Sequence, residues 1–414
     1  MPKLTTAVEM KGSSSTTKSA RAGMRVVMLT LDTHLSSAAQ RSAAKLAQKL
    51  PGLEFKLHAA SEYRASEDAL KRCLQDIDRA HMVIVSMLFM EDHYLPVIDA
   101  LTAKRDHCDA MVCIMSAPPV MQLTRMGKFA MGGQSSGLMS LLKKLRPKAK
   151  ENTEEKSSGK SEGAKQMAML RRLPKLLRFI PGTAQDLRMF FLTMRYWLAG
   201  SEQNITNMVL SLVNRYASPE RQNFKLGSQA EEPIEYPEVG LYHPKMKGKI
   251  SETLQQLPKD LEGKPTVGLL LLRSYLLAGN ALHYDAVIAA IESRGLRVIP
   301  AFASGLDSRP AIENFFLQNG KSKIDALVSL TGFSLVGGPA YNDAKAAEQI
   351  LAQLDVPYIA AHPVEFQSLD QWGSSQRGLL PVESTIMVAI PELDGSTIPM
   401  VYGGRPGAAG TSCT

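Results

Sequence analysis

Arg273-Ser274-Tyr275, Gly279-Asn280, His283, Ser304-Gly305, Thr331-Gly332, Gly337-Gly338 and His362-Pro363 each follow, or close, a short apolar run. Together they form a candidate ligand rim. Glycines let backbone N–H groups approach a ligand, hydroxyls and Asn280 add adjustable hydrogen bonds, and a guanidinium can fork onto a carboxylate. Arg273 is the sharpest of these residues, because it ends the run TVGLLLL, where a charge needs a partner. That partner is a ligand carboxylate or an internal one, Asp285 or Asp307. His283 and His362 stand where hydrogen bonding to backbone is common, with direct contact to a ligand as the alternative. LVGGPAYND (335–343) suggests a phosphate cradle but lacks both the Walker lysine and a spaced GxGxxG. Ordinary turn chemistry is the competing account of the whole rim.

Other reactive residue types are sparser. Asp32 and His34 end one apolar run, and Glu91, Asp92 and His93 end another. Their order matches no compact zinc or calcium motif, and capping of the following helices by Asp32 or Asp92 is the simpler expectation. Cys73, Cys108, Cys113 and Cys413 provide one close pair without a second pair or a nearby His cluster, so reduced thiols are expected. No nucleophile triad is visible in the spacing. No catalytic residue and no metal ligand is assigned.

Open α/β sheets bind ligands beyond the carboxyl ends of their strands, so the rim requires strands that end where it begins. MRVVMLTLD (24–32), LEFKLHAA (53–60), HMVIVSMLF (81–89) and DAMVCIMSA (109–117) read as buried strands, with helices over 36–50, 66–79 and 94–104. TVGLLLL (266–272), LRVIPAF (296–302), KIDALVSL (323–330) and VPYIAA (356–361) repeat the pattern, with helices over about 281–294, 309–318 and 342–354. ESTIMVAI (383–390) is expected as a fifth strand. QMAMLRRLPKLLRFI, TAQDLRMFFLTMRYWLAG and SEQNITNMVLSLVNRYA read as helices between the two halves, the last capped by Ser201. The expected fold is α/β, with two open, mostly parallel, doubly wound α/β bodies separated by a helical segment.

The implied division has a disordered tail (1–23), an N-terminal α/β domain (24–146), a flexible charged linker (147–166) and a helical domain with an irregular connection (167–262). A second, incomplete α/β domain (263–404) and a short tail (405–414) follow. The 414 residues carry 48 Lys and Arg against 40 Asp and Glu, a net +8 that invites a nucleic-acid reading. The surplus is local. Residues 143–188 hold 13 basic and 5 acidic side chains, and the remainder balances at 35 against 35. That segment lacks interleaved aromatics and any nucleic-acid-binding pattern, so no nucleic-acid partner is expected. The N-terminus lacks the apolar core of a secretory signal, and no run is long enough for a membrane span. A cytoplasmic protein is expected, with contact at a membrane surface left open.

GLLLLRSYLLAGNALHYDAVIAAIESRGLRVIPAFASGLDSRPAIENFF, ALVSLTGFSLVGGPAYND, DVPYIAAHPVEFQSLDQWG and ESTIMVAIPELDG together resemble the large H subunit of the magnesium chelatase family, relatives of the large cobaltochelatase subunit. VSMLFMEDH, MVCIMSAPPVMQLTRMGKF and MLRRLPKLLRFIPGTAQDLRMFFLTMRYWLAGS resemble the same protein, so the likeness runs from about Met24 to Gly404. It favours magnesium over cobalt and the bacteriochlorophyll branch over the plant one. The resemblance implies a porphyrin-binding component of an ATP-dependent enzyme that inserts Mg²⁺ into protoporphyrin IX. It implies as partners a AAA+ ATPase subunit, which uses the ATP, and a subunit with an integrin-like domain. Members of that family are far longer, and the tail GGRPGAAGTSCT does not look like their continuation. The chain is therefore expected to be an N-terminal portion, inactive alone, with a sheet edge left uncovered. A fragment, a truncated product and a short paralogue all fit. The competing functions are a non-catalytic tetrapyrrole-binding or regulatory module and a large cobaltochelatase subunit of cobalamin synthesis.

Overall fold

The computed structural model describes residues 23–31, 33–63, 66–132, 174, 177–227, 229–338 and 341–405. The tail expected over 1–23 (apart from Gly23), the linker over 147–166, most of the basic segment and residues 406–414 lie outside the described residues.

The first sheet has the order β2-β1-β3-β4-β5-β6. Strands β1 (Met24–Thr30), β2 (Leu53–Ala59), β3 (Met82–Ser86) and β4 (Ala110–Ile114) run parallel, and β5 (Arg125–Met126) and β6 (Phe129–Ala130) close one edge antiparallel. Every residue of β3 and β4 is buried, as continuous apolar runs require when helices cover both faces. Alternation divides the core. Val26, Met28, Ile84 and Val112 share one cluster with the helix Ser36–Lys49. Val27, Leu29, Val83, Val85 and Met111 share the other with helices Glu67–Arg79 and Glu91–Lys104.

The helices Thr183–Leu198 and Glu202–Tyr216 do not form a separate helical domain. Leu187, Phe190, Trp197, Ile205, Met208, Val209 and Leu212 lie in the same core cluster as β1, β3 and β4. The physical reason is breadth: Glu202–Tyr216 buries Asn204, Ile205 and every residue from Asn207 to Val213, more surface than one companion helix can cover. Ser201 caps this helix, accepting from Asn204 N–H at 3.3 Å. The buried carboxylate of Asp186 binds the layers together. It accepts from Arg215 (2.7 and 2.9 Å), from Tyr216 OH (3.0 Å) and from the Lys128 N–H (3.0 Å) in the turn between β5 and β6.

The second sheet has the order β17-β16-β13-β9-β10-β7-β8. Its parallel strands are β9 (Thr266–Leu272), β10 (Arg297–Ala303), β13 (Ala326–Ser329), β16 (Tyr358–Val364) and β17 (Thr397–Gly404). The stretch read as an irregular connection within 167–262 supplies β7 (Val239–Tyr242) and β8 (Ile250–Ser251), antiparallel at the far edge. This body therefore begins well before residue 263. Helices Arg309–Phe315 and Ala344–Leu354 cover one face, and Arg273–Ala278 and Leu282–Glu292 the other. Two small hairpins, β11–β12 (Leu317–Gln318 with Lys321–Ser322) and β14–β15 (Gly337–Gly338 with Tyr341–Asn342), lie outside the main sheets.

Residues 383–390 are not a strand. They continue a helical run from Pro381 to Leu393 whose middle, Ser384–Ala389, is a wide i→i+5 turn. Its buried positions, Glu383, Met387, Pro391 and Asp394, recur every three or four residues, where a strand would bury every second one. Glu383 is fully buried and accepts from Phe366 N–H (3.1 Å), Leu380 N–H (3.0 Å) and Gln367 Nε2 (2.6 Å), which fixes the helix start. The fifth parallel strand is β17, slightly further along the chain.

The two bodies meet at the rim. Arg41 donates to Glu202 at 2.7 Å within the first body and to the Ala278 carbonyl at 2.6 Å in the second. Ala278 is counted in the first body's core, and Arg405 approaches Glu62 at 3.5 Å. Gly279 holds a left-handed φ of 68°, and a Cβ there would stand 3.0 Å from the Arg41 guanidinium. Close approach and backbone conformation both select glycine at this position.

Candidate functional site

The predicted rim residues do gather at the carboxyl end of the second sheet, and the structure assigns most of them internal partners. Arg273 is the first residue of the helix Arg273–Ala278, and it donates to the carbonyls of Pro237 (2.8 Å) and Tyr236 (3.1 Å). The expected carboxylates are engaged elsewhere, Asp285 by Tyr242 OH at 2.7 Å and Asp307 by Arg309 at 2.7 Å. Ser274 is half-buried in the same helix. Asn280 is buried, and its N–H donates to the Tyr275 carbonyl at 2.9 Å. The Ser304 N–H donates to the Glu238 carbonyl at 2.5 Å, and Gly305 beside it is exposed.

On the other side of β9, the Thr331 hydroxyl pairs with Ser329 at 2.9 Å. Gly332 has φ 69°, and a Cβ there would press on the Cβ of His362 at 3.3 Å. Gly337 and Gly338 sit in β14, paired with Asn342 and Tyr341, and the Gly337 N–H donates to Leu306 O at 2.7 Å. Asp394 accepts from Leu335 N–H at 2.8 Å and steadies this loop. The crevice among the ends of β9, β10 and β13, where a doubly wound sheet would take its ligand, encloses about 10 Å³. That is the space of roughly one water.

What the rim does assemble is an aromatic and imidazole cluster at the joint between the bodies. Tyr275 is buried, hydrogen-bonds through its hydroxyl to Glu365, and lies 5.1 Å from the ring of His34 on the first body. His283 packs against Tyr275 (5.2 Å), Tyr284 (3.9 Å) and Tyr402 (5.9 Å), and neither of its ring nitrogens has a hydrogen-bond partner. Burial alone lowers its pKa to about 4, so the ring is neutral at physiological pH. His362, in β16, is equally buried and without nitrogen partners; burial lowers its pKa, opposed in part by the nearby Glu383 carboxylate. A neutral imidazole is a base in principle, but neither ring opens onto a space that a ligand can enter.

Sequence reasoning missed Tyr402, Glu365, Glu383 and Asp394. Tyr402 belongs to β17, and reading a strand into 383–390 hid it. Glu383 heads the run read as a strand and Asp394 lies a turn after it, and only the fold buries them.

Of the other candidates, Asp32 lies outside the described residues and His34 joins the cluster above. Glu91, Asp92 and His93 open the helix Glu91–Lys104, whose cap position is Met90 and carries no side-chain bond. Asp92 is therefore in the first turn, where its charge suits the helix dipole, and is not the cap. Among the described residues no three His, Cys, Asp or Glu side chains stand together as a metal site, and no helix is long and apolar enough to cross a membrane. The thiols of Cys73 and Cys113 are pushed up to about 12 by burial. A cleft of about 620 Å³ is lined by Glu235, Glu238 and Glu252 beside Tyr236 and Phe315 and is open to solvent. Within the basic segment, Arg188 donates to Pro174 O at 3.1 Å and pairs with Glu232 at 3.0 Å.

Two family models match the chain. Residues 25–191 match a domain of unknown function (DUF3479), and residues 194–413 match CobN/Magnesium Chelatase. Their boundary falls inside the helix Thr183–Leu198, so it does not coincide with a break in packing. The chain is 50% identical over 392 residues to the magnesium-chelatase H subunit of Cereibacter sphaeroides, covering 94% of this chain and 32% of that protein. It is 47% identical over 388 residues to the corresponding protein of Rhodobacter capsulatus, with the same coverages. It is 33% identical over 409 residues to the chloroplastic magnesium-chelatase protein ChlH of Oryza sativa subsp. indica, covering 94% of this chain and 28% of that protein. The chain thus spans about a third of the length of the relatives it matches. With the second family model covering more than half of its residues, the chain belongs to the CobN/magnesium chelatase family.

Proposed function

We propose that this chain forms the N-terminal part of the porphyrin-binding H subunit of a magnesium chelatase, which inserts Mg²⁺ into protoporphyrin IX on the way to (bacterio)chlorophyll. The observation that carries this reading is the 50% identity with a bacterial chelatase protein of that kind, sustained over 392 residues and both α/β bodies. In this reading ATP is used by a AAA+ partner subunit, a second partner carries an integrin-like domain, and the complex works in the cytoplasm.

Metal insertion makes demands that this chain does not meet alone. Mg²⁺ gives up water reluctantly and takes oxygen ligands, while two pyrrole protons must pass to bases in a site that excludes water. The buried histidines of the rim pack within the second body with no partner for their ring nitrogens, and the crevice at the strand ends holds about 10 Å³. We therefore assign Tyr275, through its contact with His34, to holding the two bodies in register, and place the insertion chemistry in the larger share of the relatives' length that this chain does not span. The test mixes the purified chain with both partner subunits, ATP, Mg²⁺ and a soluble porphyrin, and follows metalloporphyrin fluorescence. The reading predicts no product above a control without the chain; ATP-dependent product from residues 1–414 would overturn it.

A further inference from the structure

Arg297 opens β10 at the amino edge of the second sheet, in register with Thr266 of β9, and so lies opposite the rim. Its N–H donates to Pro265 O at 2.9 Å, but its buried Nε has no hydrogen-bond partner. Among the described residues no carboxylate forms an ion pair with its guanidinium, a planar fork of N–H donors. Two carboxylates of this region are engaged by other groups. Asp325 accepts from Thr266 N–H at 2.7 Å, and Glu292 accepts from His243 at 3.0 Å and from Lys245 at 2.8 Å. Arg297 lines a cleft of about 400 Å³ whose apolar wall is formed by Pro258, Leu261, Val298 and Ala289.

A cleft of this size, with an apolar wall and one cation that has no ion-pair partner among the described residues, has the make-up of a small-molecule site. The charges decide the ligand class. Lys245 is balanced by Glu292, burial holds His243 towards its neutral form, and Asp260 stands exposed on the lining. The formal charges of the lining cancel, two cations against two anions, but Arg297 is in no ion pair, so its fork suits one carboxylate while Asp260 disfavours a dianion. We propose that this cleft binds a monocarboxylate carried on a flat or branched apolar body, with the carboxylate on Arg297 and the body against Leu261, Pro258 and Val298. This site is separate from the rim and does not depend on the chelatase reading.

The experiment is calorimetric titration of the full chain with 2-naphthoate, and in parallel with 2-naphthyl phosphate. The expected result is saturable binding of naphthoate at one site, weaker binding of the phosphate, and at least a tenfold loss of naphthoate affinity in Arg297→Gln. Arg297→Lys, which keeps the charge and loses the fork, is expected to fall between them. Ala289→Glu guards against a misfolded variant: it is an exposed helix position on the same wall, and its charge should repel the carboxylate with Arg297 intact. Absence of saturable binding overturns the proposal, as do unchanged affinity in both Arg297→Gln and Ala289→Glu and tighter binding of the phosphate.

Discussion

His283 brings two ring nitrogens into a setting of tyrosine rings and gives neither a partner, so its cost shows as pH dependence. The unfolded imidazole titrates at its ordinary 6.5 and the folded one at about 4. Above pH 6.5 both forms are neutral and stability does not depend on this group. As pH falls through 6.5 the unfolded chain takes up a proton that the folded chain refuses, so stability drops until about pH 4. The full difference is about 3 kcal/mol, of which about 2 kcal/mol is lost by pH 5. His58, His81, His243 and His362 are also lowered, so the readout is the difference between wild type and His283→Phe. Urea unfolding at pH 7 and pH 5 should show the variant losing about 2 kcal/mol less than wild type over that interval. An equal loss in both proteins would contradict the buried, neutral assignment. The position of His283 at the carboxyl edge was legible in its place after TVGLLLL and Gly279-Asn280. Its surroundings were not, because Tyr402 and Glu365 arrive from more than eighty residues along the chain.

At the scale of elements, β1, β3, β4, β9 and β10 were readable from continuous apolar runs, since a strand buried on both faces has little else to be, whereas the edge strand β2 alternates buried and exposed residues. ESTIMVAI was misread because β-branched content suggests a strand, while burial at Glu383, Met387, Pro391 and Asp394 follows a helix. The two readings separate in the laboratory. A strand that buries Glu383 and Met387 also buries Thr385, whereas here Thr385 is exposed and Met387 is 1% exposed. Met387→Ala should cost about 2–4 kcal/mol in chemical denaturation and Thr385→Asp less than about 0.5. Comparable losses at both positions would restore the strand. The helices Thr183–Leu198 and Glu202–Tyr216 were legible as helices, but not as a layer of the first body, because an amphipathic stripe does not name the surface that covers it.

At the scale of the whole molecule, two doubly wound bodies are held through a joint that uses the residues first read as a ligand rim. Arg41 is its clearest cross-tie, with Glu202 on one side and the Ala278 carbonyl on the other. Arg41→Ala should leave both cores intact and speed amide hydrogen exchange over 273–281 more than elsewhere, the signature of local opening. Unchanged exchange there would show that the apolar contacts alone hold the bodies together. The +8 net charge indicated least about the fold, since its source lies in 143–188, mostly outside the described residues. Family membership, by contrast, was legible in long motifs spread across both bodies, because each motif binds a strand end to the loop and helix that follow it. The function proposed for these bodies is to form the front of the porphyrin-binding component of a magnesium chelatase. It is tested most directly by replacing the matching 392-residue region of the Cereibacter sphaeroides protein with this chain and assaying Mg²⁺ insertion with the partner subunits and ATP. The account predicts that the chimera keeps activity within about tenfold of the parent, a barrier change under about 1.4 kcal/mol. A folded chimera that binds porphyrin as the parent does and inserts no metal would contradict it.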